Sequence, residues 1–412
     1  MILYDSSLTM HFRDHGIMLP ISPDRAEETL DFLGRNFHPG ARGKSMPYPG
    51  PVFSIADALA LLGGDGEITR RDLERLHSRD YVAALYEDSG GKTLERELLN
   101  AYELLDPQGR PRRYEPEGAI KPLTGLFDTI LAQTAGTYLA CRLALAEGPG
   151  FCYYLGGGMH HARYDAGAGF CLINDVALGA AKILADRLNR YQAPNLKKPV
   201  RLVWIVDMDA HKGDGTAELI RFARQRGELA GPLQDTRQGG SGGPDHVSAD
   251  QQPPTLLAPS NMPCILTLSI HMAKGWPLDG ETLAAAKPGR APLLPSEVDI
   301  GIDPGEEAEY TPRLAAGIRE LERMTATAAL TPESGPQSVP DLMLVVDGAD
   351  PYEHDGLPSS GLLRLTLDQC LERDNFVYRY AMDRNIPSAW IQAGGYGDRA
   401  WEPAAYFLQG IR

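Results

Sequence analysis

Asp207, Asp209, His211 and Asp214 fall within DMDAHKGDG, at the end of the apolar run RLVWIVD. If the chain stays extended, side-chain alternation sends Asp207, Asp209 and His211 to one side. Carboxylates and an imidazole crowded at a buried strand end disfavour one another unless a cation joins them. One aspartate of the set could cap the helix that begins near Asp214. The whole set is harder to place that way. Zinc takes imidazole nitrogen and carboxylate oxygen, and a catalytic zinc keeps three protein ligands and one open position. Asp209 and His211 supply two. Asp350 in DGADP, set off by Gly348 and Ala349, is the expected third.

His160 and His161 lie side by side in GGGMHHARYDAGAGF. A histidine pair in a glycine-bordered loop could simply face solvent. Beside a metal, imidazoles that titrate near neutral pH are better read as acid–base groups. Asp207 and Asp214 remain to fix their tautomers and charge. Tyr396 sits in AGGYG, where small neighbours let the backbone approach a ligand closely. Its phenol is expected to donate to a developing oxyanion in preference to packing at a turn. His271 is expected to be a core or capped histidine in preference to a ligand.

These groups share a position relative to the elements that must hold them. Five short apolar runs read as strands: Phe151–Leu155, Arg201–Asp207, Cys264–Ile270, Leu342–Asp347 and Pro387–Ala393. Helical patterns lie between them, over Asn174–Arg190, Gly215–Arg226, Tyr310–Ala329 and Leu367–Arg384. Further helices are expected over Pro23–Arg35, Arg70–Tyr86 and Leu94–Leu105. Alternation of strand and helix predicts an α/β fold: a single domain over 1–412 with a mostly parallel central sheet and helices on both faces. In such sheets, sites form at the carboxyl ends of the strands. All five strands place ionisable or glycine-rich segments there. Residues 227–261, rich in Gly, Pro, Gln and Ser, cannot form a core and read as a flexible surface insertion.

Bulk properties narrow the partners. A formal charge of −15 argues against nucleic acid and anionic membranes as binding partners. There is no run of about 18 apolar residues to span a membrane and no signal-peptide pattern at the start. Five cysteines, odd in number and without a C-x-x-C pair, suit reduced thiols and a cytoplasmic location. A homo-oligomer is compatible with all of this.

GGGMHHARYDAGAGFCLINDVAL, DMDAHKGDG, LTLSIH, GADP and GGYG together resemble, in order, the histone deacetylase and acetylpolyamine amidohydrolase superfamily. The resemblance runs from about Leu123 to Tyr406 and implies an arginase-like α/β fold. It implies one Zn²⁺ per chain, held by Asp209, His211 and Asp350, and hydrolysis of an N-acetylated amine. It makes His161 the general base and then acid, His160 its electrostatic partner, and Asp207 and Asp214 their carboxylate partners. Tyr396 would polarise the scissile carbonyl, and Gly169, Phe170 and Trp276 would line a substrate tunnel. A K⁺ ion near the zinc would lie against Asp207, Asp209, His211, Ser269 and Ile270.

Two departures stand out. Lys212 replaces the second histidine of the usual D-x-D-x-H-H-G-D-G, and PYEHDGLPSSGLLRL after Asp350 looks longer than usual. Two other readings stay open: a dinuclear manganese ureohydrolase on the same fold, and a binding module that keeps the pocket without turnover.

Overall fold

The computed structural model describes residues 1–35, 52–64, 66–87, 93–146, 150–186, 200–229, 265–279, 293–328 and 338–411. Eight strands among them form one sheet: β1 (Ile2–Leu3), β2 (Val52–Phe53), β3 (Phe151–Tyr154), β4 (Val203–Asp207), β5 (Ile265–Met272), β6 (Val298–Ile302), β7 (Leu342–Asp347) and β8 (Ser388–Gln392). Their order is β2-β1-β3-β8-β7-β4-β5-β6, and every pairing is parallel.

The uninterrupted apolar runs follow from burial on both faces. Val203 and Ile205 of β4 face one hydrophobic cluster, while Trp204 and Val206 face the other. Leu344 and Met343 of β7, and Ile391 and Trp390 of β8, divide in the same way. Helices Leu126–Ala146 and Asp175–Asp186 cover the first face; Tyr310–Ala328, Leu367–Asp383 and Glu402–Gly410 cover the second. Each fully buried aliphatic side chain of this sandwich contributes about 1.5–3 kcal/mol.

Residues 187–190 and 329, the ends of two expected helices, lie outside the described residues. Where they are described, the expected strands and helices form to within a few residues, with one clear exception. The segment Arg70–Tyr86 is two helices, Arg70–Leu76 and Arg79–Tyr86, not one. His77 leaves the helical conformation and Ser78 caps the second helix through Tyr81 N–H. The break is held by the histidine loop, whose Tyr164 carbonyl accepts from Ser78 N–H at 2.7 Å. His77 Nδ1 likewise donates to the Arg163 carbonyl at 2.7 Å.

Of the proposed insertion, residues 230–261 lie outside the described residues. Cys141, Cys152, Cys171 and Cys370 are buried free thiols, and Cys264 lies outside the described residues. Among the described residues, no helix is long and apolar enough to cross a membrane.

Candidate active site

The strand order brings the chemistry together. β3 lies beside β8, so the histidine loop meets the Gly394–Tyr396 loop; β4 lies beside β7, so Asp209 meets Asp350. The alternation expected along Asp207–His211 does not continue, because β4 ends at Asp207. Instead the chain coils back on its own carboxylates. Asp209 N–H donates to Asp207 Oδ1 at 3.2 Å, and His211 N–H to Asp209 Oδ1 at 2.9 Å. Short aspartate side chains favour such local turns over a continued strand.

Asp209, His211 and Asp350 converge, all buried. His211 Nδ1 lies 2.8 Å from Asp350 Oδ2 and 3.2 Å from Asp209 Oδ1. Asp350 Oδ1 also accepts from Ala210 N–H at 2.9 Å, and Asp209 Oδ2 from Gly394 N–H at 3.0 Å. Burial alone would lower the His211 pKa, but the two carboxylates outweigh it and raise it to about 10. Burial, with Asp209 next, raises Asp350 to about 7. Two buried carboxylates therefore demand a positive charge at this point, and their oxygens and Nδ1 lie close enough for one ion. Glycine is required here: a Cβ on Gly394 would sit 2.4 Å from Asp209 Oδ2 and 2.7 Å from Asp350 Oδ2.

The histidine pair packs ring to ring, with centroids 3.9 Å apart. His160 Nδ1 meets Asp207 Oδ2 at 2.7 Å, and His161 Nδ1 meets Asp214 Oδ1 at 2.9 Å. The two differ in charge. Burial disfavours the His160 cation, but Asp207 and Asp209 raise its pKa to about 9. Burial and then the neighbouring His160 pull His161 down to about 4. Asp214 resists the upward push of burial and lies below the usual range, held by His161 and by Arg163 Nε and Nη2 at 2.9 and 2.7 Å. An ionised carboxylate only accepts, so His161 carries its proton on Nδ1 and presents a lone pair at Nε2.

Tyr396 and Phe170 face each other with ring centroids 6.3 Å apart, and Trp276 stands edge-on to His161 at 4.5 Å. Burial raises the Tyr396 pKa well above the ordinary phenol value, so the hydroxyl stays a donor. Gly169 and Phe170 both take positive φ, at 54° and 65°. A Cβ on Gly169 would meet the Trp276 ring at 2.4 Å and the His161 ring at 2.6 Å. Gly169→Ala is therefore expected to fold but to displace the His161 and Trp276 rings and lose about a hundredfold in kcat/KM, the scale for misplacing a reacting group. Steady-state kinetics on that variant would check it.

The long stretch after Asp350 proves to support the site. Ser359 Oγ lies 3.3 Å from His211 Nε2, and Asp355 Oδ2 accepts from Tyr396 N–H at 2.7 Å. Lys212 does not join the cluster; its Nζ pairs with Asp299 Oδ2 on β6 at 2.7 Å. His271 is a core histidine, as expected, 3.6 Å from Asp299. Ser269 pairs in register with Asp207, which places it and Ile270 beside the Asp207–His211 turn.

Residues 54–409 match the histone deacetylase domain. The chain belongs to the histone deacetylase family. An uncharacterized Picosynechococcus protein is 24% identical over 85% of this chain and 86% of its own. Histone deacetylase 6 of Arabidopsis thaliana is 26% identical over 51% of this chain and 42% of its own. The acetoin utilization protein AcuC of Staphylococcus aureus is 33% identical over 36% and 32%. The chain thus spans less than half the length of those two relatives. The structure of acetylpolyamine aminohydrolase from Burkholderia pseudomallei shares the fold, with a TM-score of 0.52, 18% identity and coverage of 99% and 97%.

Several supports of this candidate site gave no sequence signal. Asp175 is fully buried, and its carboxylate accepts from Gly158 and Met159 N–H at 3.0 and 2.6 Å and from Thr137. It thereby fixes the loop that carries the histidine pair. Arg25 donates to the carbonyls of Ala393 and Gln392 at 2.7 and 3.0 Å, bracing the chain just before Tyr396. Arg373, fully buried, reaches the carbonyls of Met208 and Gly348, each at 3.1 Å, and Asp347 Oδ1 at 2.7 Å. One guanidinium so ties the β4 exit to the β7 exit, directly behind Asp209 and Asp350.

Proposed function

We propose that this member of the histone deacetylase family is a zinc-dependent amidohydrolase that cleaves an N-acetylated amine to acetate and free amine. The observation that carries the reading is the convergence of Asp209 and Asp350 on His211 Nδ1, in a cavity also lined by His161 and Tyr396. The donor set of one imidazole and two carboxylates fits zinc, and His211 has its other nitrogen engaged by Ser359, as metal-bound histidines commonly do. Held by Asp209, His211 and Asp350, zinc supplies Lewis acidity toward the amide carbonyl and lowers the pKa of water.

The remaining steps belong to the chain. Neutral His161 takes a proton from the attacking water at Nε2 and later delivers it to the departing amine nitrogen. His160, kept positive beside Asp207 and Asp209, stabilises the negative charge that develops nearby. Tyr396 donates its hydroxyl proton to the carbonyl oxygen as that oxygen becomes an oxyanion. Phe170 and Trp276 flank the substrate chain, and Gly169 leaves it room. A structural potassium ion would lie against Asp207, Asp209, His211, Ser269 and Ile270, where the register of β4 and β5 sets Ser269 opposite Asp207. The whole chain acts as one catalytic domain.

A dinuclear site is the second reading, because His160, His161 and Asp209 form another group of possible ligands that shares Asp209 with the first. Only one carboxylate serves that group, and Asp207 and Asp214 occupy its histidines at Nδ1, so it is the poorer metal site.

Hydrolysis of a fluorogenic acetyl-lysine amide and of an acetylated polyamine by zinc-loaded protein tests the proposal. Turnover blocked by a hydroxamate chelator is expected. A folded, zinc-replete protein that hydrolyses no acetylated amine would sink it.

A further inference from the structure

The outer end of the cavity over His161 and His211 is lined by Glu103, Arg112, Arg113, Phe170, Trp276 and Leu357, with Ser359 and Tyr396 deeper in. Two arginines and one acid therefore face whatever extends out of the site, on a chain whose net charge is −15. The acid is already engaged: Glu103 Oε2 accepts from Arg113 Nη1 at 2.7 Å and lies 4.0 Å from Arg112 Nη1. Arg113 also stacks over the Phe170 ring at 5.2 Å, which fixes it at the tunnel wall. Arg112 has its side chain 55% exposed; it lies 4.0 Å from Glu103 Oε2 and within electrostatic reach of Asp106, which is not among the residues lining the cavity.

The backbone here is held in a costly conformation. Glu103 takes a φ of 51°, in a region that costs a non-glycine residue about 1–2 kcal/mol. The Arg112 and Arg113 amides both donate to the Leu104 carbonyl, at 2.9 and 3.4 Å, and Phe170 N–H donates to the Ala101 carbonyl at 2.9 Å. The arginine pair and the tunnel aromatic are thus built on one local framework. Strain maintained at the mouth of a site points to use of the groups it positions.

Resting on the deacetylase reading, we propose that Arg112 and Arg113 select acetylated amines whose far end carries an anion, a carboxylate being the simplest. A cationic far end, as in a polyamine, meets two guanidiniums and no free carboxylate among the described lining residues. An anionic end meets the unsaturated donors of Arg112 and a planar fork suited to carboxylate.

Three acetamides on the same six-carbon chain, ending in carboxylate, primary amide or ammonium, test this with the zinc-loaded full chain. The expected order of kcat/KM is carboxylate, amide, ammonium, with about tenfold or more between the extremes at low salt. The spread should shrink as ionic strength rises. Arg112→Glu should invert the order, and because the ratio is internal to each variant, partial loss of folded protein cancels. Hydrolysis of all three with the ammonium favoured, or a ratio unmoved by Arg112→Glu, overturns the selectivity alone. Hydrolysis of none overturns the deacetylase reading and the selectivity with it.

Discussion

His161→Ala is expected to lower kcat by about a thousandfold while leaving the protein folded and its metal bound. The fold should survive because Asp214, although it loses His161 at Oδ1, keeps its charge paired through both hydrogen bonds from Arg163 to Oδ2. The metal should stay because Asp209, His211 and Asp350 are untouched. Turnover and bound metal measured on one sample separate the outcomes. Near-wild-type kcat would move the base elsewhere, and loss of the ion would make His161 a ligand. The wild-type pH profile carries the same claim. With its pKa drawn down to about 4 by burial, His161 is already neutral through the weakly acidic range. Acidification should therefore cost activity only below about pH 5, with half lost near pH 4, well under the ordinary histidine value.

Tyr396→Phe is expected to lower kcat by about a hundredfold, the effect of removing one donor to an oxyanion. The ring remains to pack against Phe170, and the backbone remains pinned, since Asp355 accepts from the Tyr396 amide and not from the hydroxyl. KM should change little, because the bond strengthens only as charge develops. Steady-state kinetics on the variant would show it; unchanged kcat would remove Tyr396 from the chemistry.

The five central strands were legible because each is buried on both faces and so reads as an unbroken apolar run. Asp209, His211 and Asp350 were legible because ligand types recur at strand ends. Strands of two residues, such as Ile2–Leu3 and Val52–Phe53, carry no period to detect. Helix Leu126–Ala146 is buried around most of its circumference, so no one-sided stripe marks it. Arg25, Asp175 and Arg373 escaped notice for a different reason. Their work consists of hydrogen bonds to backbone atoms far away in sequence, which only the fold creates. The turn at Asp207–His211 shows the same limit: the right residues meet, but through local carboxylate bonds and not through strand alternation.

Titration of metal-free protein with Zn²⁺, following bound ion and amide hydrolysis together, tests the central claim most directly. The geometry of Asp209, His211 and Asp350 predicts no turnover without metal, and activity that rises in step with binding to saturate at one ion per chain. Full turnover in the metal-free protein, or saturation only at two ions per chain, would contradict it.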